Sequence, residues 1–200
     1  MSWIKTISFE DATGKLKRLY EKVTGPNNNV DNIMMVHGLR PHTMTGHMAL
    51  YKNVLHNSNN SLPKWYLETI GVYVSLLNNC DYCINHHFEG LRRLIDNDKK
   101  ANQIKSDLEN ENQPFEENSY NSGLEYAKRL TLEPSDLQEN DVISLRSEGL
   151  SDGEILEINQ VVSYFNYANR TVLGLGVSTK GDIIGLSPSN SDDENHWNHQ

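Results

Sequence analysis

A chain of 200 residues is one domain's length, enough to bury roughly two-thirds of its unfolded surface without help from metals or disulfides. Its apolar share is 36% and its formal charge is −9, from 18 Lys and Arg against 27 Asp and Glu. With no dense Lys/Arg tract the phosphate-neutralising surface of a nucleic-acid binder is missing, and DNA, RNA and anionic membranes are set aside as general partners. No run reaches the length of a spanning helix, and the start Met1-Ser2-Trp3-Ile4-Lys5 lacks the basic end and apolar stretch of a signal peptide, so the expected location is the cytoplasm.

Apolar residues recur at steps of three and four while strict alternation is rare, which predicts an all-α fold. Ser8 is the expected cap of a first helix running to about Val23, with Ala12, Leu16, Leu19, Tyr20 and Val23 as its stripe; Gly25-Pro26 and an Asn run stop it. A short apolar segment covers about 31 to 39. Pro41 opens a helix carrying Met44, Met48, Tyr51, Val54 and Leu55, and Pro63 opens another with Trp65, Leu67, Ile70, Val74 and Leu77. Asn78-Asn79 breaks that helix, so Cys80 falls near the start of the next. That one runs through His87 and Leu91 to about Ile95, and a polar stretch holding Ile104 and Leu108 continues to Asn112. A surface loop over 109–118 leads to a helix carrying Leu124, Tyr126, Ala127 and Leu130, stopped before Pro134. Ser135 is the expected cap of the next helix, which ends near Gly149. Ser151-Asp152-Gly153-Glu154 reads as a capping box opening the last long helix, whose broad apolar face includes Ile155, Ile158, Val162, Phe165 and Val172 and ends at Gly174-Leu175-Gly176. The expected domain spans 1–187, followed by a polar tail over 188–200.

The two cysteines stand together as Cys80-Asp81-Tyr82-Cys83. A bridge between them closes too small a loop to remove much unfolded-chain entropy, so the pair points to chemistry rather than stapling. At 100° per residue, Cys80, Cys83 and His87 fall on adjacent rows of one helix face. The helix start and an imidazole one turn away both favour thiolate. Glu68, twelve residues before Cys80, would be ~18 Å away on a straight helix. A hairpin at Asn78-Asn79 instead puts Glu68 and His87 at axial offsets of ~15 and ~12 Å, nearly level, where they can share a proton. A carboxylate orienting an imidazole that activates a thiol is the logic of a base-assisted nucleophile.

The run from Glu68 through Cys80-Asp81-Tyr82-Cys83-Ile84-Asn85-His86-His87 resembles the AhpD-like alkylhydroperoxidase branch of the carboxymuconolactone decarboxylase superfamily. Trp3-Ile4, Leu39-Arg40-Pro41, Tyr164-Phe165-Asn166, Asn169-Arg170 and Gly174-Leu175-Gly176 are similar to its peroxidase-related proteins. The resemblance covers about residues 3 to 185. It implies an AhpD-like helical fold that assembles into dimers or larger rings, no haem or flavin, and a thiol-dependent peroxidase. By the same resemblance Cys83 is the peroxidatic thiol, Cys80 the resolving thiol, and Glu68 with His87 the proton relay. An external dithiol, lipoyl-type or thioredoxin-like, would reset the disulfide. His86 matches a second histidine of that branch with no role attached. The polar insertion around 99–118 and the acidic tail depart from the pattern.

Other readings stand beside this one. The thiols can be packed small hydrophobes, or zinc ligands with His86 or His87, although a structural site wants a fourth ligand. The fold can serve as a redox sensor, a protein disulfide reductase or a scaffold. A lactone decarboxylase would have no use for the pair. His37, His42 and His47 scatter by ~140° and straddle Pro41, which suggests surface or core-edge positions rather than a chelate. Met34, Met35, Met44 and Met48 read as core filler. Tyr164, Phe165 and Tyr167 are assigned to the core and a subunit contact, with Arg170 a weaker candidate anchor for an acidic substrate.

Overall fold

Every residue from Tyr66 to Ser75 is buried, and a helix apolar all round has to sit inside other helices. That helix is the axis of a computed structural model that describes residues 1–185; the expected boundary near 187 and the tail over 188–200 lie outside the described residues. The helices are α1 Gly14–Val23, α2 Asn32–Met35, α3 Pro41–Leu55, α4 Lys64–Leu77, α5 Asp81–Ile95, α6 Asp98–Glu109, α7 Asn118–Leu132, α8 Glu139–Ser147 and α9 Asp152–Leu175. Among the described residues there is no strand. The central α4 packs against α5, α7 and α9, with α3 and α6 closing the remaining sides. No helix among them is long and apolar enough to cross a membrane.

Packing between α4 and α9 depends on Gly71. A Cβ there would come within 2.2 Å of the Phe165 ring, so the glycine is the slot that lets α9 approach. At the other end of α9, Gly176 takes φ +60 as the helix C-cap. Trp3 donates its N–H to the Leu175 carbonyl at 2.8 Å, and a Cβ on Gly176 would meet the Trp3 indole. The chain's beginning is thereby tied to the end of its longest helix.

Three expected boundaries differ. Ser8 does not cap α1: its hydroxyl bonds to Asp11 Oδ2 at 2.8 Å and accepts from the Asp11 amide at 3.1 Å, closing a local turn. The left-handed φ of +55 at Gly14 stops the helix from reaching further back. The polar stretch after Ile95 is a separate helix, because Asp96 adopts φ +49 and Asn97 caps α6 by accepting from the Lys100 amide. Ser135 lies in a 3-10 turn, Pro134–Asp136, and α8 starts later, where the Gln138 amide donates to Asp141 Oδ2 at 2.7 Å. The Ser151/Glu154 box is formed as expected, with both reciprocal bonds present.

Candidate functional site

The α4–α5 hairpin is built at Asn78, Asn79 and Cys80. Asn79 takes φ +54, a left-handed position that Asn tolerates, and the Cys80 amide donates to the Ser75 carbonyl at 2.9 Å. Cys80 is the N-cap of α5, and Cys83 lies in its first turn. The cysteines are unbridged, buried and 3.2 Å apart. The hydrogen bond from Cys83, together with backbone donors, lowers the Cys80 pKa against the opposing effect of burial. The same bond, burial and the nearby charge raise Cys83 well above its usual value, with Asn169 pulling the other way. The expected thiolate is thus favoured at the helix start, on Cys80, while proximity to an imidazole does not offset burial at Cys83.

The hairpin brings Glu68 onto His87. Glu68 is 1% exposed, and its Oε2 lies 2.8 Å from His87 Nδ1. Its other oxygen is 4.0 Å from His56 Nε2. The His87 ring meets the edge of Phe165 at 4.5 Å, so the residue seated in the Gly71 slot also fixes the imidazole. With Nδ1 held by the carboxylate, Nε2 is the nitrogen left for other partners.

Cys83 and His87 line one cavity of about 50 Å³, room for a few water-sized molecules. His47, Tyr51 and Tyr164 form another part of its wall, and Met34 and Met48 supply apolar surface. Those two methionines do more than fill the core, whereas Met44 is fully buried core. Asp31, Tyr82 and His86 complete a polar side. Here Tyr82 donates to Asp182 Oδ2 at 2.6 Å, the Asn32 amide donates to the same carboxylate, and His86 stacks on Tyr82 at 4.6 Å. His86 therefore belongs with Asp182, 3.4 Å from its Nε2. Burial pushes the Asp31 carboxyl up to about 6, partly countered by His86.

The histidine expectation needs correction. His42 is exposed, but His37 and His47 are buried with ring centroids 5.3 Å apart. His37 precedes Pro41 in a different element, so helical angles never applied to the pair; its Nδ1 bonds to Thr43 at 2.7 Å. Tyr164 is in the core as expected, and it also lines the cavity. Arg170 is exposed and tied to Asn166, away from that cavity. The thiols and histidines do not converge as a metal centre: among the described residues no group of three or more His, Cys, Asp or Glu could hold an ion.

Asn169 is the site residue hardest to see in the sequence. It is fully buried, donates to Ser75 Oγ at 3.1 Å, accepts from Asn78 at 3.0 Å and bonds to Cys83. Its signals were its place in the Asn169-Arg170 pair that the resemblance includes, which carried no role, and its polar character beside Phe165, Ala168 and Val172 on an apolar helix face.

These features define an AhpD-like helical fold with a dithiol at the start of α5, a partly exposed helix packed on α4. No protein-family model and no curated protein matches the sequence. Among solved structures, the chain is similar to an alkylhydroperoxidase AhpD core, an uncharacterized peroxidase-related protein from Ralstonia eutropha JMP134, with 20% identity, TM-score 0.76 and coverage of 88% of this chain and 91% of that one. It is also similar to an uncharacterized peroxidase-related protein from Silicibacter sp. TM1040, with 24% identity, TM-score 0.67 and coverage of 82% and 81%. A third is a protein of unknown function from Agrobacterium tumefaciens described as a putative antioxidant defence protein AhpD, with 19% identity, TM-score 0.58 and coverage of 72% and 94%. At these identities the likeness establishes the fold.

Proposed function

We propose that this chain is a thiol-dependent peroxidase reducing hydrogen peroxide or an alkyl hydroperoxide through a Cys83/Cys80 dithiol–disulfide cycle. The observation that carries the reading is the shared cavity of Cys83 and His87, with Glu68 bonded to the imidazole from behind. The similar solved structures carry peroxidase-related descriptions, which agree with an antioxidant role.

In this mechanism the Cys83 proton passes across the shared cavity to His87 Nε2, and the charge arrives at the sulfur facing the cavity. Cys83 attacks the terminal peroxide oxygen: the S–O bond forms, the O–O bond breaks, and the departing RO⁻ takes the proton from His87 as ROH. Glu68 steadies the imidazolium while it exists. The resulting sulfenic acid is attacked by Cys80, releasing water and leaving a disulfide. An external dithiol, lipoyl-type or thioredoxin-like, reduces it by exchange, so the cycle belongs in a reducing compartment such as the cytoplasm. The chain works as a homo-oligomer, a dimer or larger.

The lower pKa at Cys80 favours a second assignment, in which Cys80 attacks and Cys83 resolves. Single-cysteine variants separate the two. Cys83→Ser should lose peroxide consumption, while Cys80→Ser should react once and hold a sulfenic acid that dimedone traps. The reverse pattern would exchange the roles, and undiminished turnover by both variants would sink the peroxidase reading.

A further inference from the structure

Tyr164 and His47 form a second polar pair on the cavity wall, outside the Glu68–His87 relay. They come from α9 and α3, and Tyr164 Oη lies 3.3 Å from His47 Nε2. His47 is 2% exposed, and its Nδ1 is buried with no hydrogen-bond partner among the described residues. A neutral imidazole carries one N–H and one lone pair, and a buried N–H without an acceptor is the costlier one to strand. The proton therefore belongs on Nε2, where it is donated to Tyr164 Oη. The phenolic O–H is not spent on His47 and is left for a different acceptor. The space beside it is the cavity that Cys83 also lines.

We propose that Tyr164, held by His47, donates a hydrogen bond to the leaving oxygen of the peroxide as Cys83 attacks. The inference rests on the peroxidase reading and adds a catalytic residue to it. When the Cys83 S–O bond forms and the O–O bond breaks, negative charge grows on the RO oxygen; Tyr164 stabilises that charge while His87 supplies the proton that makes ROH. Tyr164 keeps its own proton throughout. Burial, followed by the nearby Cys83 and Glu68 charges, holds its pKa well above the usual phenol value, so it stays a donor. A preorganised donor aimed at developing charge in a site of low polarity is commonly worth about 10²–10³ in rate.

The test is single-turnover oxidation of the reduced protein by tert-butyl hydroperoxide, whose leaving alkoxide is strongly basic, and by peracetic acid, whose leaving carboxylate needs little help. Tyr164→Phe should react about 10²-fold more slowly with the hydroperoxide and within about tenfold of wild type with the peracid. Its thiols should react with a disulfide reagent at the wild-type rate. His47→Gln keeps an N–H near Tyr164 and should retain most of the hydroperoxide rate, whereas His47→Leu should lose it as Tyr164→Phe does. An equal loss with both oxidants, or no loss in Tyr164→Phe, overturns the assignment while leaving the peroxidase intact. Wild-type protein inert to both oxidants overturns the peroxidase reading itself, and this role with it.

Discussion

Glu68 Oε2 and His87 Nδ1 sit 2.8 Å apart across the α4–α5 hairpin although 19 residues separate them in the chain. A buried carboxylate is costly unless it is paired, and this pairing resolves the cost by fixing an imidazole at the cavity wall. Glu68→Gln keeps the shape and a hydrogen-bonding group but removes the charge that steadies an imidazolium. The expected result is a loss of about 10- to 100-fold in the rate of Cys83 oxidation, measured by stopped-flow single turnover, with the helical circular dichroism unchanged. A wild-type rate would take Glu68 out of the relay.

Gly71 carries a prediction that joins stability to chemistry. Gly71→Ala forces a Cβ into the Phe165 ring, and overpacking of this kind typically costs about 1–3 kcal/mol. Because Phe165 also packs on His87, the displaced ring should carry the imidazole with it. Thermal unfolding should fall by several degrees, and peroxide oxidation should slow by more than the folded fraction explains. If activity per folded molecule is unchanged, the Phe165 contact does not position His87.

The hairpin geometry could be reached from the sequence because it is local. Two helices of fixed rise joined at Asn78-Asn79 leave one arithmetic answer for which residues lie level, and Glu68 meets His87 there. His47 and Tyr164 are different: 117 residues separate them, and nothing in either helix alone reveals that they meet. Asp31 and Asp182 likewise reach the same wall from opposite ends of the described chain. The misplaced starts of α1 and α8 have a local cause, since Ser8 and Ser135 are both plausible caps in composition. The Gly14 backbone and the Pro134 turn decide against them.

Asn169 ties the hairpin turn to α9 and bonds to Cys83. Asn169→Leu removes that donor and takes one hydrogen bond each from Ser75, which keeps the Gly71 carbonyl, and Asn78, which keeps Asn166, so two effects are expected. Stability should drop by about 1–3 kcal/mol from the two lost hydrogen bonds. The thiol that reacts with peroxide should also become harder to ionise, moving the pH midpoint of its alkylation upward. An unshifted midpoint with lowered stability would make Asn169 a purely structural tie.

The pH dependence of folding follows from His47 and Asp31, which act with opposite signs. Burial first, then the neighbouring His37 and His87, holds His47 down to about 3 against 6.5 when unfolded. Between those values the unfolded chain binds more protons, so the stability His47 contributes is present above about pH 6.5 and is lost as pH falls towards about 3. Over that window the loss is of order 5 kcal/mol. Asp31 is raised to about 6 from 3.8; here the folded state binds more protons, and stability falls as pH rises from about 4 to about 6 and stays lower above it. The size is about 3 kcal/mol, and its Oδ1 has no hydrogen-bond partner among the described residues. Urea unfolding from pH 4 to 8 should then find Asp31→Asn more stable than wild type at pH 7 to 8, with the advantage gone near pH 4. His47→Gln should flatten the decline of stability below pH 6. An Asp31→Asn advantage that does not vary with pH would mean that the carboxyl ionises normally in the folded protein.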